Sequence, residues 1–328
     1  MNDIAIASPN STLAPSQSIE RIAEVASKLL QANLAEKTLL DYRSRWRQWE
    51  RFCATHDKVA MPADHVILIG WIASMADAGK SMQTIHQSMA AVRFKHAEDG
   101  LQSPTDHPDV IRCVANASRL YGRPRRPKKA VSLEMLKAIL PEGNGARATQ
   151  TRAVLLLVWF GALRRSEAAQ LCTGDVEITD EGAIIRLRRS KTDQGGQGSE
   201  RGVPFQSDPK LCPVRALKRW ALLRDQDGED ADLPMFRIIF RGGLISKKPV
   251  ASAWVANILK RVCRKAGVDP KEIAGHSLRR GFATEASRRG KPLESIQHHL
   301  RHSSIATTRK YVEEGKMFDD SNAAMGLA

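Results

Sequence analysis

Apolar positions recur at helical spacing along most of the chain. Ile22, Val25, Ala26, Leu29 and Leu30 share one face, and the stretches from Leu39-Leu40 to Phe52, Val66 to Met75, Ile85 to Phe94 and Val110 to Ala117 repeat the pattern. Breaks fall at Asp57-Lys58, Ala78-Gly79-Lys80 and Gly100 to Pro108. The pattern predicts four or five short helices between Ser18 and about Arg119, with no strand signal. Further on, Ser132 with Glu134 marks a helix start, and Ala153 to Leu163 (AVLLLVWFGAL) is apolar all round, as a buried helix is. A period of two then takes over: Val176 to Ile178, the turn Thr179 to Gly182, a longer strand Ala183 to Arg189, a Gly-rich turn Asp193 to Gly198, and a return strand near Arg201 to Phe205. Helical patterns resume at Val214 to Leu223, Ala251 to Ala266, Ser277 to Arg288, Leu293 to Leu300 and Ile305 to Val312. The expected fold class is mainly α with a small antiparallel sheet.

A length of 328 residues suggests two domains. Residues 1–17, rich in Ser, Pro, Asn and Ala, read as a disordered tail, and 18–118 as an all-α domain. Residues 119–131 read as a basic linker, because Arg119 to Lys129 (RLYGRPRRPKK) carries six cations, two prolines and no acid. Residues 132–328 form the second domain and its C-terminal tail. Charge follows the same division. Residues 1–118 hold 12 basic and 13 acidic side chains, whereas 119–328 hold 39 and 23, so the back part carries +16 and the front −1 of the formal +15. Such a surplus points to a polyanion, most simply nucleic acid.

Other classes drop out. No apolar run approaches the roughly 18 residues that cross a bilayer, and the start shows neither a basic nor an apolar leader segment, so a cytoplasmic protein is expected. The five cysteines are dispersed without a C-x-x-C pair, which suits reduced thiols rather than a disulfide frame or a zinc ribbon. His298 and His302 lie four apart, but His299 occupies the place where a metalloprotease motif has Glu, and no further ligand is close in sequence; no metal or cofactor is expected.

Four short segments carry candidate chemistry: Gly161-Ala162-Leu163-Arg164-Arg165-Ser166-Glu167, Arg189-Ser190-Lys191-Thr192-Asp193 at a hairpin tip, His276-Ser277-Leu278-Arg279, and His302 with Tyr311 nine residues later. Each alone is unremarkable. Together, two arginines, a lysine, two histidines and a tyrosine are what transfer of a phosphodiester to a phenol needs. Fixed guanidinium groups neutralise a pentacoordinate phosphate, a base helps remove a proton from a phenol of pKa about 10, and an acid protonates the leaving alkoxide.

In order and spacing these segments resemble the tyrosine recombinases, the family of phage integrases and of Cre and Xer. The Leu-Arg-x-x-Glu box is matched by Leu163 to Glu167, the hairpin lysine by Lys191, the His-x-x-Arg box by His276 to Arg279, and the last box by Leu300-Arg301-His302 leading to Tyr311. Arg301 stands where the family usually has Gly. Arg165 and Arg280 are neighbouring alternatives, but only Arg164 and Arg279 fit both spacings. The resemblance implies a helical core-binding domain followed by a catalytic domain, closing on duplex DNA as a two-lobe clamp. It implies that Arg164, Arg279 and His302 bind the scissile phosphate, that Lys191 protonates the leaving 5′-oxygen with His276 as proton-transfer partner, that Tyr311 forms a 3′-phosphotyrosyl link, and that Glu167 buttresses the pocket by pairing with a basic neighbour. It further implies a homo-tetramer on two sites, with the C-terminal segment packed on a neighbouring protomer. With about 17 residues before the first helix, a simpler Cre-like or Xer-like enzyme is expected rather than a lambda-type integrase with an arm-binding domain.

DNA-contact candidates are Arg43, Arg45 and Arg47, interleaved with Trp46 and Trp49 whose rings are expected in the core. To these are added Lys80 at the head of a polar helix face containing Gln83, Thr84, Gln87 and Arg93, and the linker residues Arg123, Arg125, Arg126, Lys128 and Lys129. Two rival functions remain: a type IB topoisomerase-like nicking-closing enzyme with the same chemistry, and a non-catalytic DNA-binding regulator on the same scaffold.

Overall fold

In the computed structural model the helix boundaries are set by local caps at the sequence breaks. The structure describes residues 21–22, 36–123, 128–188, 198–224 and 230–315. Lys191, Arg125, Arg126, most of the first apolar stretch, the Gly-rich turn at 195–197, the N-terminal tail and the segment after Gly315 lie outside the described residues. The chain divides into two compact units, 1–125 and 126–328.

The first unit is helical: α1 (Glu36–Thr55), α2 (His65–Asp77), α3 (Met82–Glu98) and α4 (Pro108–Tyr121). The Asp64 carboxylate accepts from the N–H groups of Val66 and Ile67 and starts α2; the Ser81 hydroxyl accepts from Thr84 and starts α3. Gly79 and Gly100, both at positive φ, end α2 and α3. Trp49, Leu68, Trp71, Ile72, Ile85 and Val92 fill the core. Trp49 is fully buried and its indole N–H donates to the Ala60 carbonyl, while Trp46 is only partly buried.

The second unit is built round α6 (Ala146–Phe160), whose residues Ala153 to Trp159 are all buried. Before it lies α5 (Leu133–Ile139), capped by Ser132, and after it α7 (Arg165–Gln170). A three-stranded antiparallel sheet follows, in the order β1 (Val176–Ile178), β2 (Gly182–Leu187), β3 (Ser199–Pro204). Its register pairs Ile185 with Arg201 and Ala183 with Val203, so these four share the buried face, while Arg186 on the other face bonds Glu177 and Glu200. Helices α8 (Pro213–Arg224), α9 (Ser252–Lys265), α10 (Ser277–Arg288), α11 (Leu293–Leu300) and α12 (Ile305–Gly315) complete the unit.

Two features depart from the sequence reading. A second hairpin, β4 (Arg237–Ile239) with β5 (Ile245–Pro249), pairs away from the main sheet. Its strands are only three and five residues long, and β5 carries two adjacent exposed lysines, so no period-two apolar signal marks them. The helix α4 also runs on through Tyr121, into the stretch read as linker. Residues 128–131 at the other end are tied to the second unit: Lys129 N–H donates to Glu272, Lys128 Nζ to the Lys271 carbonyl, and Val131 N–H to Ser277.

Candidate active site

The turn after α6 organises the site. Ala162 adopts φ of 46°, in the left-handed region, and the reversal brings Leu163 into the core and Arg164 to the start of α7. Arg164 is held by Glu167: one carboxylate oxygen accepts from the Arg164 backbone N–H at 2.7 Å, the other from its guanidinium at 2.6 Å. The Glu167 side chain is almost wholly buried, so this is an interior ion pair.

Arg279 enters from the first turn of α10 and is buried. Its guanidinium donates to the Ala162 carbonyl at 2.6 Å and to the Leu300 carbonyl, joining the α6–α7 turn to the end of α11. Burial first, and then the neighbouring Arg164 and Arg201 guanidinium groups, lower its pKa to about 9, against a smaller opposing pull from Glu167 and Tyr311. Arg279 still carries its proton at neutral pH.

His276 sits at the N-terminus of α10, open to solvent on one side. Desolvation, then Arg279, Arg165 and Arg164, push its pKa below the ordinary value. His302 follows α11. Its Nδ1 shares a hydrogen bond of 2.9 Å with the hydroxyl of the fully buried Thr308, and its pKa falls to about 4, through burial and then the charges of Arg279, Arg164 and Arg201. The ring is therefore neutral in the unliganded site at pH 7. Tyr311, on α12, packs with Ala162, Ala283, Ile296 and Leu300, its ring centroid 5.9 Å from that of His302. The Ser287 hydroxyl donates to the Val312 carbonyl and pins this part of α12 to α10.

The structure thus brings Arg164, Glu167, His276, Arg279, His302 and Tyr311 together within one unit of one chain. Arg301 occupies a left-handed position (φ of 51°) that ends α11, the conformation in which glycine is least strained. His299 stacks on Phe282 at 4.5 Å, and its Nε2 bonds the Phe160 carbonyl. In the first unit Arg43, Arg47, Lys80 and Arg123 are exposed. Arg45, half-buried, instead bonds Gln87 Oε1 at 2.5 Å, and Arg93, though exposed, is taken up by Thr105 and Asp106. Sequence reasoning missed Arg201, whose guanidinium donates to the Gly161 carbonyl, and Thr308. The alternation of β3, with Val203 facing inward, was the available signal for Arg201.

Fixed cations, a neutral imidazole and a phenol gathered round one turn are an arrangement suited to holding an anionic phosphate ester. The model of the phage integrase family matches residues 130–316. An integrase/recombinase XerD homolog from Selenomonas ruminantium is 29% identical over 310 residues, covering 92% of this chain and 89% of its own. The tyrosine recombinase XerC of Myxococcus xanthus is 31% identical over 211 residues, covering 61% and 63%. Two solved structures share the fold at 18% identity. The Tn1549 transposon integrase in complex with circular intermediate DNA has a TM-score of 0.59, with 88% of this chain and 92% of that one covered. The XerH site-specific recombinase bound to its palindromic difH substrate has a TM-score of 0.58, with 92% and 82% covered. The chain belongs to the phage integrase family: it is a tyrosine recombinase, an enzyme of DNA strand cleavage and transfer.

Proposed function

We propose that the protein carries out site-specific recombination of duplex DNA through a 3′-phosphotyrosyl intermediate, with Tyr311 as nucleophile. The observation that carries this reading is the position of Tyr311 beside His302 and the Arg279 end of the guanidinium cluster, within the same chain. Tyr42 and Tyr121 belong to the first unit, which leaves Tyr311 as the tyrosine of the second.

In the proposed step the phenolic oxygen attacks the scissile phosphorus, the bond to the 5′-oxygen breaks, and the DNA 3′ end becomes esterified to Tyr311. The phenol proton leaves to a base, Lys191 supplies a proton to the departing 5′-oxygen, and His276 serves as the proton-transfer partner. Arg164, Arg279 and His302 hold the non-bridging oxygens, whose charge rises toward −2 in the transition state. The phosphodiester is conserved in the ester, so a 5′-hydroxyl from another strand reverses the step without an energy source. Arg43, Arg47, Lys80, Arg123, Arg125, Arg126, Lys128 and Lys129 would bind backbone phosphates; Arg45 is assigned here to holding α1 on α3. Four protomers on two sites would exchange strands, at the cytoplasmic nucleoid where the DNA lies.

The test is covalent trapping on a nicked suicide duplex bearing the recombination site, located by footprinting the DNA that flanks the gene. Wild type yields a slow band on a denaturing gel and Tyr311→Phe none. Arg164→Ala slows the band by at least 10²-fold, the size of losing one donor to a developing oxyanion. A band from Tyr311→Phe refutes the nucleophile. Nicking and closing without joining to a second duplex favours the topoisomerase reading.

A further inference from the structure

Arg201 is a deeply buried arginine of this cluster that the phosphate reading does not use. It projects from β3 onto the face shared with Ile185 and Val203 and is only 5% exposed. One terminal nitrogen donates to the carbonyl of Gly161; Nε and the other terminal nitrogen are buried with no hydrogen-bond partner. The adjacent carbonyl, of Ala162, is held by Arg279, and Arg164 follows two residues later. Three guanidinium groups from three elements therefore meet on the turn Gly161 to Arg164.

The compensation they receive is unequal. The Arg164 guanidinium has an ion pair with one oxygen of Glu167, whose other oxygen takes the Arg164 backbone N–H, and the Arg279 guanidinium has two carbonyls. Arg201 has a single carbonyl and no ion pair at contact distance among the described residues. Burying a guanidinium costs several kcal/mol, and each buried unpaired donor adds about 1–3 kcal/mol. A purely structural contact to Gly161 needs no positive charge. What such a buried, uncompensated cation supplies is a fixed positive field in a place water does not screen.

We propose that Arg201 is a positioning residue of the phosphate site, a third guanidinium standing behind Arg164 and Arg279 whose unpaired charge acts on the reacting phosphate without ligating it. This rests on the phosphotyrosyl reading above. In the free enzyme one carboxylate, Glu167, faces the three guanidinium groups and relieves their repulsion only in part; the bound phosphate relieves the rest, and more so as its charge grows in the transition state. The pKa of Arg201, pushed down to about 10 by burial and by the Arg301 and Arg164 charges against an upward pull from Glu167, accords with a cation held at a cost.

The experiment measures single-turnover adduct formation on two suicide duplexes, one with the native scissile phosphodiester and one with a methylphosphonate there, in which a neutral methyl replaces a charged non-bridging oxygen. Arg201→Met, of similar length and no charge, is expected to slow the native substrate by tenfold or more; Arg201→Lys is expected to recover most of the rate. On the methylphosphonate the Met penalty shrinks to threefold or less, because the charge that Arg201 acts on is gone. Thermal melts establish that the variants fold, and Arg201→Gln replaces Met if it does not. An equal penalty on both substrates makes Arg201 structural and overturns the proposal, as does the absence of any penalty, or a Lys variant no faster than Met. If wild type forms no adduct, or Tyr311→Phe forms one, the phosphotyrosyl reading itself falls and this inference with it.

Discussion

Gly281 is the position where a single methyl group tests the whole arrangement. A Cβ built there stands 1.8 Å from the Val131 carbonyl oxygen, 2.7 Å from its carbon and 2.9 Å from the Trp159 indole nitrogen. None of these can swing away. Val131 is fully buried, its oxygen accepts from Trp159 and its N–H donates to Ser277 at the start of the same helix. A carbon–oxygen contact of about 3.3 Å is the ordinary near limit, so Gly281→Ala must push α10 away by roughly 1.5 Å. That helix carries His276 and Arg279. A move of this size lengthens the Arg279 bonds to Ala162 and Leu300 beyond hydrogen-bonding range. Overpacking costs about 1–3 kcal/mol and the two charged hydrogen bonds about 1.5–3 kcal/mol each, so a loss of about 3 kcal/mol or more is expected after relaxation. For a unit of this size that lowers Tm by about 6–12 °C. Misplacing the cation by an ångström or more slows adduct formation on the order of 10²-fold. The assay pairs circular-dichroism melts with the trapping gel. Gly70→Ala is the control, since a Cβ there meets only Phe52 at 4.0 Å on the exposed side of α2. If Gly281→Ala melts and cleaves like wild type, the close packing of α10 on residue 131 is not what holds the site.

Glu167→Gln removes the charge that pairs with Arg164 while keeping the shape; leaving that guanidinium without its buried partner costs about 3–5 kcal/mol, read as a fall in Tm, and a melt equal to wild type contradicts the buried pair. His302 gives a pH signature. Its folded pKa of about 4 lies below the ordinary 6.5, so on acidification the unfolded chain takes up the proton first. Its contribution is complete above pH 6.5 and is lost as pH falls toward 4, about 2 kcal/mol once solvent screening of a half-buried ring is allowed for. DNA-free melts therefore show a falling Tm across this window, and His302→Gln flattens part of the slope; an unchanged slope refutes the assignment.

The sequence alone was enough for most of the described helices, the strands of the main sheet and three of the four chemical segments, because each is written locally; the fourth, at Lys191, lies outside the described residues. Helix starts at Asp64, Ser81 and Ser132 are side chains capping backbone a few residues away, and the turns at Gly79 and Gly100 need only their own φ. His276 and Arg279 are one helical turn apart whatever surrounds them. Other features depend on partners far along the chain. The β4–β5 hairpin pairs strands of three and five residues, too short for an apolar alternation to mark them. Arg45, on a helix face that reads as solvated, is claimed by Gln87 across the first unit. Arg201 reads as one more surface cation until the register of β3 turns it inward to Gly161, and Thr308 gains its meaning from His302 across the α11–α12 corner. Local propensity chose the elements. The depth at which each charge sits, and hence which charges go uncompensated, was decided by tertiary packing, because desolvation depends on everything that surrounds a group and not on its neighbours in sequence.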